Sequence, residues 1–232
     1  MTRPTPRNVL LTSLTFSSGV VDAIAFIAMG KVFTAFMTGN LVFLGLGAAN
    51  AFAPGGPSIV RVAVVLAAFA LGVFVAGRIN RRLGASSQAL SVALAGVLLA
   101  QLVFLAGWLA VSGHPAQTLT TCLAAVAALA MGMQSGAIGA LDVKAIFTTA
   151  ATATLINLSR EAADPGVSAT RPPQLAAVLV CLVLGATVGG LLLVDARAYA
   201  PVVPPLATAL AVAASVAESR ALRRLAPVAA AA

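Results

Sequence analysis

The chain of 232 residues is 60% hydrophobic and 9% charged, with a mean hydropathy of +1.04. Soluble domains carry about 25% charged residues, so there is too little charge here to cover a water-facing surface, and much of that surface must face lipid. The formal net charge of +8 would point to nucleic acid in a soluble protein. Here the basic residues lie in short loops at the ends of apolar runs, as the positive-inside rule predicts, and no basic stripe is interleaved with aromatics, so a lipid bilayer and no nucleic acid is the expected surrounding.

A helix rises about 1.5 Å per residue, so about 20 apolar residues cross a ~30 Å hydrocarbon core. Runs of this kind predict spans over residues 9–29, 60–77, 89–111, 119–141, 175–194 and 201–217. They are continuous rather than alternating, which argues against a membrane β-barrel. The first run follows Arg3 and Arg7 as a signal peptide would, but it is longer than the usual apolar region of such a peptide and carries Asp22, so it reads as a retained helix.

Asp22 lies well inside that first span. A carboxylate at mid-bilayer costs about 2.5–3.5 kcal/mol on insertion scales, so it needs a partner or water. It reads either as a proton or cation site or as a structural carboxylate bonded to hydroxyls on a neighbouring helix; Gly19 beside it permits close helix approach. The next apolar stretch, 33–53, carries Thr38, Gly39 and Asn40. These offer donors and acceptors around a residue that permits a sharp backbone. They fit a substrate or ion contact at a helix break, or interhelical hydrogen bonds of about 0.6 kcal/mol each.

In the second half Gln134 and Ser135 sit mid-span within GMQSG. Gly132 and Gly136 form a GxxxG, as do Gly185 and Gly189; small residues at that spacing let helices pack closely in lipid, within one chain or between protomers of a homo-oligomer. The candidate substrate- or ion-binding set is therefore Asp22, Thr38, Gly39, Asn40, Gln134 and Ser135. Asp142 and Lys144, after the fourth span, read as interfacial partners of each other or of Arg160 or Glu161. The arginine-bearing tail over 218–225 fits the surface of anionic lipid. Cys122 and Cys181, both inside spans, read as small core hydrophobes. His114 is the single histidine and precedes Pro115 in a loop. With no metal-ligand cluster, Walker loop or GxSxG, no catalytic residue, metal or cofactor is expected.

If 33–53 and 145–158 do not cross, six spans result, and with the N-terminus inside, the inner loops hold 11 of the 14 basic residues, leaving Lys31, Arg61 and Arg197 outside. Eight spans split the same residues 8 to 6, and a seven-span alternative, in which only 33–53 crosses, splits them 10 to 4. The positive-inside rule favours six and keeps seven open; in either, the C-terminus is cytoplasmic. The halves also resemble each other: FTAFMTGNLVFL (33–44) and FTTAATATLINL (147–158) share five of twelve residues at an offset of 114, and LGVFVAG (71–77) and LGATVGG (184–190) share four of seven at 113. Three spans per half make this an inverted repeat over about 9–111 and 119–217, of the kind that secondary transporters use, with interrupted segments in corresponding positions pointing to a binding site. The fold expectation is a single all-α integral membrane domain over 1–232, a bundle of six to seven spans with a 3+3 repeat and interrupted segments near 33–53 and 145–158.

GVVDAIAF around Asp22 and FTAFMTGNLVFLGLG around Thr38–Asn40 together resemble the signature of the YoaK-like bacterial membrane-protein family, catalogued as a domain of unknown function, and the whole chain fits that family in length and hydropathy. The resemblance implies a multi-pass protein of the bacterial cell (inner) membrane with about six or seven spans, and no particular substrate. From the residues themselves two functions compete. One is a secondary transporter or exporter of a small solute, with Asp22 carrying a coupling ion and Thr38, Gly39 and Asn40 lining the site. The other is a non-transporting scaffold or partner subunit. They differ in whether Asp22 and Asn40 converge on a cavity.

Overall fold

The computed structural model describes residues 6–52, 55–84, 86–139, 151–164 and 172–229, with side chains from 7 to 216 among them. The described chain is helical: α1 (Pro6–Ala28), α2 (Met37–Ala48), α3 (Ile59–Leu83), α4 (Ser87–Leu109), α5 (Gln117–Gly139), α6 (Ala151–Ala163), α7 (Pro172–Asp195) and α8 (Val203–Ala229), the last entered through a 3-10 turn over Arg197–Val202. In hydrocarbon a backbone must satisfy its own polar groups, and a helix does so within one segment. Side-chain hydroxyls set two of the starts, where Ser58 Oγ accepts from Arg61 N and Ser86 Oγ accepts from Ala89 N.

Six helices are long and apolar enough to cross a membrane: α1, α3, α4, α5, α7 and the stretch Arg197–Val216 that enters α8. The chain is thus a multi-pass bundle. α2 has 12 residues and rises only about 18 Å, so the helix within the 33–53 stretch is too short by itself to cross and stands apart from the six. Of 145–158 only the part from Ala151 is described, as the start of the 13-residue α6; Asp142 and Lys144 lie outside the described residues, as do the side chains of the 218–225 tail.

α1 and α5 are the most buried spans, and α3 and α7 the least. α1 packs on α7 and α8; α5 packs on α3 and α4; α4 meets α8, and the short helices α2 and α6 lie on α3 and α7; outside this set, α3 also touches α4, whereas α7 meets the 3-10 turn before α8 rather than α8 itself. Exchanging α1 with α5, α2 with α6, α3 with α7 and α4 with α8 leaves this pattern of neighbours unchanged. The correspondence reaches single atoms. A Cβ on Gly19 would strike Leu182 O, and one on Gly132 would strike Phe69 O; one on Gly72 would strike Leu129 O, and one on Gly185 would strike Phe16 O. Each pair of contacts is related by an offset of 113 residues on one side and −113 on the other. Gly136 faces Ala76 as Gly189 faces Ala23, again at 113. Both GxxxG faces are therefore filled inside the chain, on α3 and on α1.

The cysteines depart from expectation. Cys122 is exposed, on the outward side of α5, where an apolar thiol is as comfortable against lipid as in a core, and Cys181 is only partly covered because it borders a hollow between α1, α7 and α8. At the far end of α4, Trp108 Nε1 donates to Arg197 O (2.9 Å) and Arg197 Nε donates to Gly113 O (2.8 Å). Gly113 has φ +78° and no room for a side chain between the indole and the arginine. This latch fixes the turn before α8 to the end of α4.

A methyl on Gly132 would meet a carbonyl oxygen at a backbone seam, whereas Gly77 has open space around it. Gly132→Ala is expected to destabilise the fold by about 1–3 kcal/mol, as overpacking does, and Gly77→Ala to change it by less than about 0.5 kcal/mol. Unfolding in detergent micelles, followed by the fluorescence of the single buried tryptophan, Trp108, measures both.

Candidate functional site

α1 closes at Ala28, and the chain then turns through Gly30 (φ +84°) and Lys31 (φ +60°) before running without helical bonds to α2. Gly30 is seated against the Arg61 guanidinium, which leaves no space for a side chain there. Arg61, at the start of α3, donates from Nε to Thr121 Oγ1 (3.1 Å) and from Nη2 to Gln117 Oε1 (2.5 Å), both at the start of α5. Lys31 Nζ donates to Gly55 O (2.6 Å). The turn after α1 is thereby tied to the ends of α3 and α5.

The interrupted segment buries backbone groups that no helix satisfies, and two side chains supply the missing partners. Asp22 Oδ1 accepts three hydrogen bonds, from Thr34 N (2.6 Å), Thr34 Oγ1 (2.8 Å) and Ala35 N (2.8 Å). Asn40 serves Phe33 from the other side, its Oδ1 accepting from Phe33 N (3.0 Å) and its Nδ2 donating to Phe33 O (2.5 Å). Thr34 and Asn40 are fully buried and Asp22 nearly so. The aspartate of α1 and the asparagine of α2 thus converge on one three-residue stretch.

Asp22 Oδ2 is different: it is buried and has no partner within hydrogen-bond geometry, the backbone N–H of Phe36 being the remaining donor that acts on the carboxyl group. Asp22 borders a cavity of about 210 Å³ where α1, the 29–36 segment and α7 meet. Gly19, Asp22, Ala23, Phe26 and Ile27 give it one face of α1, Phe33 and Phe36 close it from the segment, and Leu182 and Ala186 from α7. Phe33 is the hub of the aromatics, stacked on Phe26 (5.1 Å) and on Phe43 (6.2 Å) and edge-on to Phe36 (6.2 Å). A larger hollow of about 410 Å³ between α1, α7 and α8 is lined by Phe16, Leu206, Leu210 and Cys181 among others, and carries no carboxylate.

Of the candidate set Asp22 alone is among the residues that line the smaller cavity; Asn40 acts on it only through Phe33, and the remaining residues divide. Gly39 seats the Phe33 ring, to which a Cβ would come within 3.0 Å. Thr38 is exposed beside it. Gln134 and Ser135 are placed elsewhere: Gln134 Nε2 donates to Leu14 O (3.2 Å) and Ser18 Oγ (3.0 Å) on α1, and Ser135 Oγ donates to Met131 O (2.8 Å) of its own helix. Gln134 belongs to a buried polar layer that also holds Ser17 and Gln101, whose Nε2 donates to Ser17 Oγ (3.3 Å). Ser135 occupies in the second half the position of Asp22 in the first, 113 residues away. Reading the sequence for polar residues in apolar spans missed Gln101, the one amide inside the third predicted span, and the phenylalanines of the FTAF stretch, which signal a site only beside a carboxylate.

The family profile described as Protein of unknown function (DUF1275) matches residues 10–215. The chain belongs to this family. It is also similar to the UPF0700 transmembrane protein YoaK of Bacillus subtilis (strain 168), 32% identical over 162 residues that cover 68% of this chain and 68% of that protein. No solved structure matches the chain. The DUF1275 match takes in α1, the interrupted segment and α7, and therefore every residue around the Asp22 cavity.

Asn40→Ala strands both backbone groups of Phe33, and an unsatisfied buried group costs about 1–3 kcal/mol. Asp22→Asn keeps an acceptor for the three donors, while Asp22→Ala leaves them all unpaired. The expected order of stability is wild type, Asp22→Asn, then Asn40→Ala and Asp22→Ala, read from detergent-induced unfolding; an Asp22→Ala as stable as Asp22→Asn would show that the three bonds to Oδ1 hold nothing in place.

Proposed function

We propose that this protein is a secondary transporter of a small solute, without catalytic activity, in which Asp22 exchanges a proton or cation across a bacterial cell membrane. The observation that carries this reading is the divided carboxylate. One oxygen holds the interrupted segment, the other is buried and unpartnered, and the residue that carries both borders a cavity. A carboxylate needed only for structure would be expected to use both oxygens, since a buried unpaired acceptor is unfavourable.

The arrangement of the halves supports the same reading. The neighbour pattern that survives exchange of α1–α4 with α5–α8, and the glycine seams repeated at 113 residues, favour a true internal repeat. Three spans in each half place the second half upside down relative to the first, which is the inverted architecture of many secondary transporters. The basic loops then put both termini on the cytoplasmic side. The competing reading, a non-transporting scaffold, draws on the commitment of Asp22 Oδ1 and Asn40 to backbone bonds. It loses its main argument where both GxxxG faces are already covered within the chain.

Single cysteines at the exposed positions Ala51 and Ser87, in a background lacking Cys122 and Cys181, test the orientation: an impermeant thiol reagent added to intact cells should label the first and spare the second, and the reverse pattern defeats the proposed topology. Function is tested in proteoliposomes that enclose a pH-sensitive dye. Addition of a panel of amines, amino acids and sugars should produce solute-dependent proton movement through the wild type and none through Asp22→Asn. Identical traces for the two proteins across the panel count against transport at Asp22.

A further inference from the structure

We propose that the Asp22 cavity binds a monovalent organic cation with an apolar or aromatic body, the cation pairing with Oδ2 and its body lying among Phe26, Phe33 and Phe36; the inference names the solute class of the transporter reading above and rests on it for its purpose.

The lining selects by exclusion. Apart from the carboxylate, the side chains that border the cavity are hydrocarbon. A hard metal cation needs six or more oxygen ligands at short range, and here one carboxylate oxygen is the sole unengaged one. A sugar or other polyhydroxy solute would bury hydroxyls without partners, which is strongly unfavourable. An anion would meet a carboxylate and no basic side chain. An organic cation satisfies every wall: its charge meets Oδ2, its carbon meets Ile27, Leu182 and Ala186, and the phenyl rings attract a desolvated cation through their quadrupoles. Pockets of this kind, mostly apolar with one polar group that fixes orientation, are the usual form of small-molecule sites.

One carboxylate also sets the stoichiometry. The equivalent position in the other half is Ser135, whose hydroxyl is bonded to Met131 O, so each chain has one such seat. A protonated Oδ2 and a bound cation exclude each other: as the cation pairs with the carboxylate, the proton that occupied Oδ2 leaves to solvent, and charge balances. Among the described residues no other charged or titratable side chain borders the cavity. The cations at the turn after α1, Lys31 and Arg61, are engaged by Gly55 O and by Thr121 and Gln117. On the 3-10 turn packed on α1, Arg197 is bonded to Gly113 O and Tyr199 is exposed; among the described side chains of α5, α7 and α8, the other helices packed on α1, the titratable groups are Cys122, Cys181 and Asp195. Cys181 lines the other hollow, and the other two are exposed.

The test is equilibrium binding of benzyltrimethylammonium to the purified full chain in detergent, with no gradient present. Saturable binding is expected, with neopentylbenzene, its neutral isostere, unable to compete. Affinity should weaken as pH falls and protons compete for Oδ2. Asp22→Asn, which keeps acceptors for the three loop donors, should weaken binding at least tenfold and remove the pH dependence. Ala186→Leu, at an exposed α7 position that borders the cavity, should weaken it similarly without touching the carboxylate, and Cys181→Ser should leave it unchanged. Absence of saturable binding to folded wild type, or binding unaltered by both Asp22→Asn and Ala186→Leu, overturns the proposal. A protein that binds the cation as described but moves no solute in proteoliposomes retains this site and loses the transporter reading; solute-driven proton flux without cation binding does the reverse.

Discussion

A polypeptide buried in an apolar bundle has to find a partner for every N–H and C=O it does not place in a helix. Between α1 and α2 this chain stops being helical while still inside the protein, and the whole site follows from how that debt is met. Asp22 takes the amides of Thr34 and Ala35, and Asn40 takes both polar groups of Phe33. Because each side chain comes from a different helix, the break is clamped between them. The Phe33 ring is turned onto Gly39 and stacked between Phe26 and Phe43. The aromatic wall of the cavity is a by-product of the same clamp.

The clamp also explains why a carboxylate tolerates this position. Three donors converge on one oxygen, and the helix that carries it is the most buried of the spans. The other central helix, α5, holds its polar groups differently: Gln134 and Ser135 bond to Leu14, Ser18 and Met131, and with Gln101 and Ser17 they tie α1, α4 and α5 together, outside the lining of the Asp22 cavity. The two halves share a scaffold and differ in chemistry.

Hydropathy made the six spans legible to within a few residues, because helices that face lipid must be continuously apolar; the predicted 60–77 run, observed as Ile59–Leu83, was short only where Arg78, Arg81 and Arg82 extend the helix beyond its apolar part. Charge distribution preferred six spans but left 33–53 open, since 21 apolar residues look the same whether they form one helix or a turn, an extended segment and a 12-residue helix. Gly30 and Lys31 with positive φ mark the difference, and glycine alone does not announce it. Asp22 and Asn40 stood out because a polar group in an apolar run demands a partner. Their meeting on the same three residues was not readable, as it depends on how the chain folds back after α1. The aromatic lining was invisible for the opposite reason: phenylalanine in an apolar stretch carries no signal until its neighbours are known.

The tightest seams in the molecule join α1 to α7 and α3 to α5, and each of these pairs takes one member from each half of the sequence. Carbonyl oxygens rest where glycine side chains would be, so neither pair can slide or part without opening a void along its length. As mechanical bodies the units that these seams define are therefore not the two halves of the sequence. α1 travels with α7, and α3 with α5, each a hybrid of both halves, so any motion that preserves these seams hinges between the two hybrids, with α4 and α8 as the flanking struts. The cavity takes its helical walls from the first hybrid, whereas its Phe33 and Phe36 walls belong to the segment that Asn40 of α2, packed on α3, holds to the second, so the cavity spans the junction between the two.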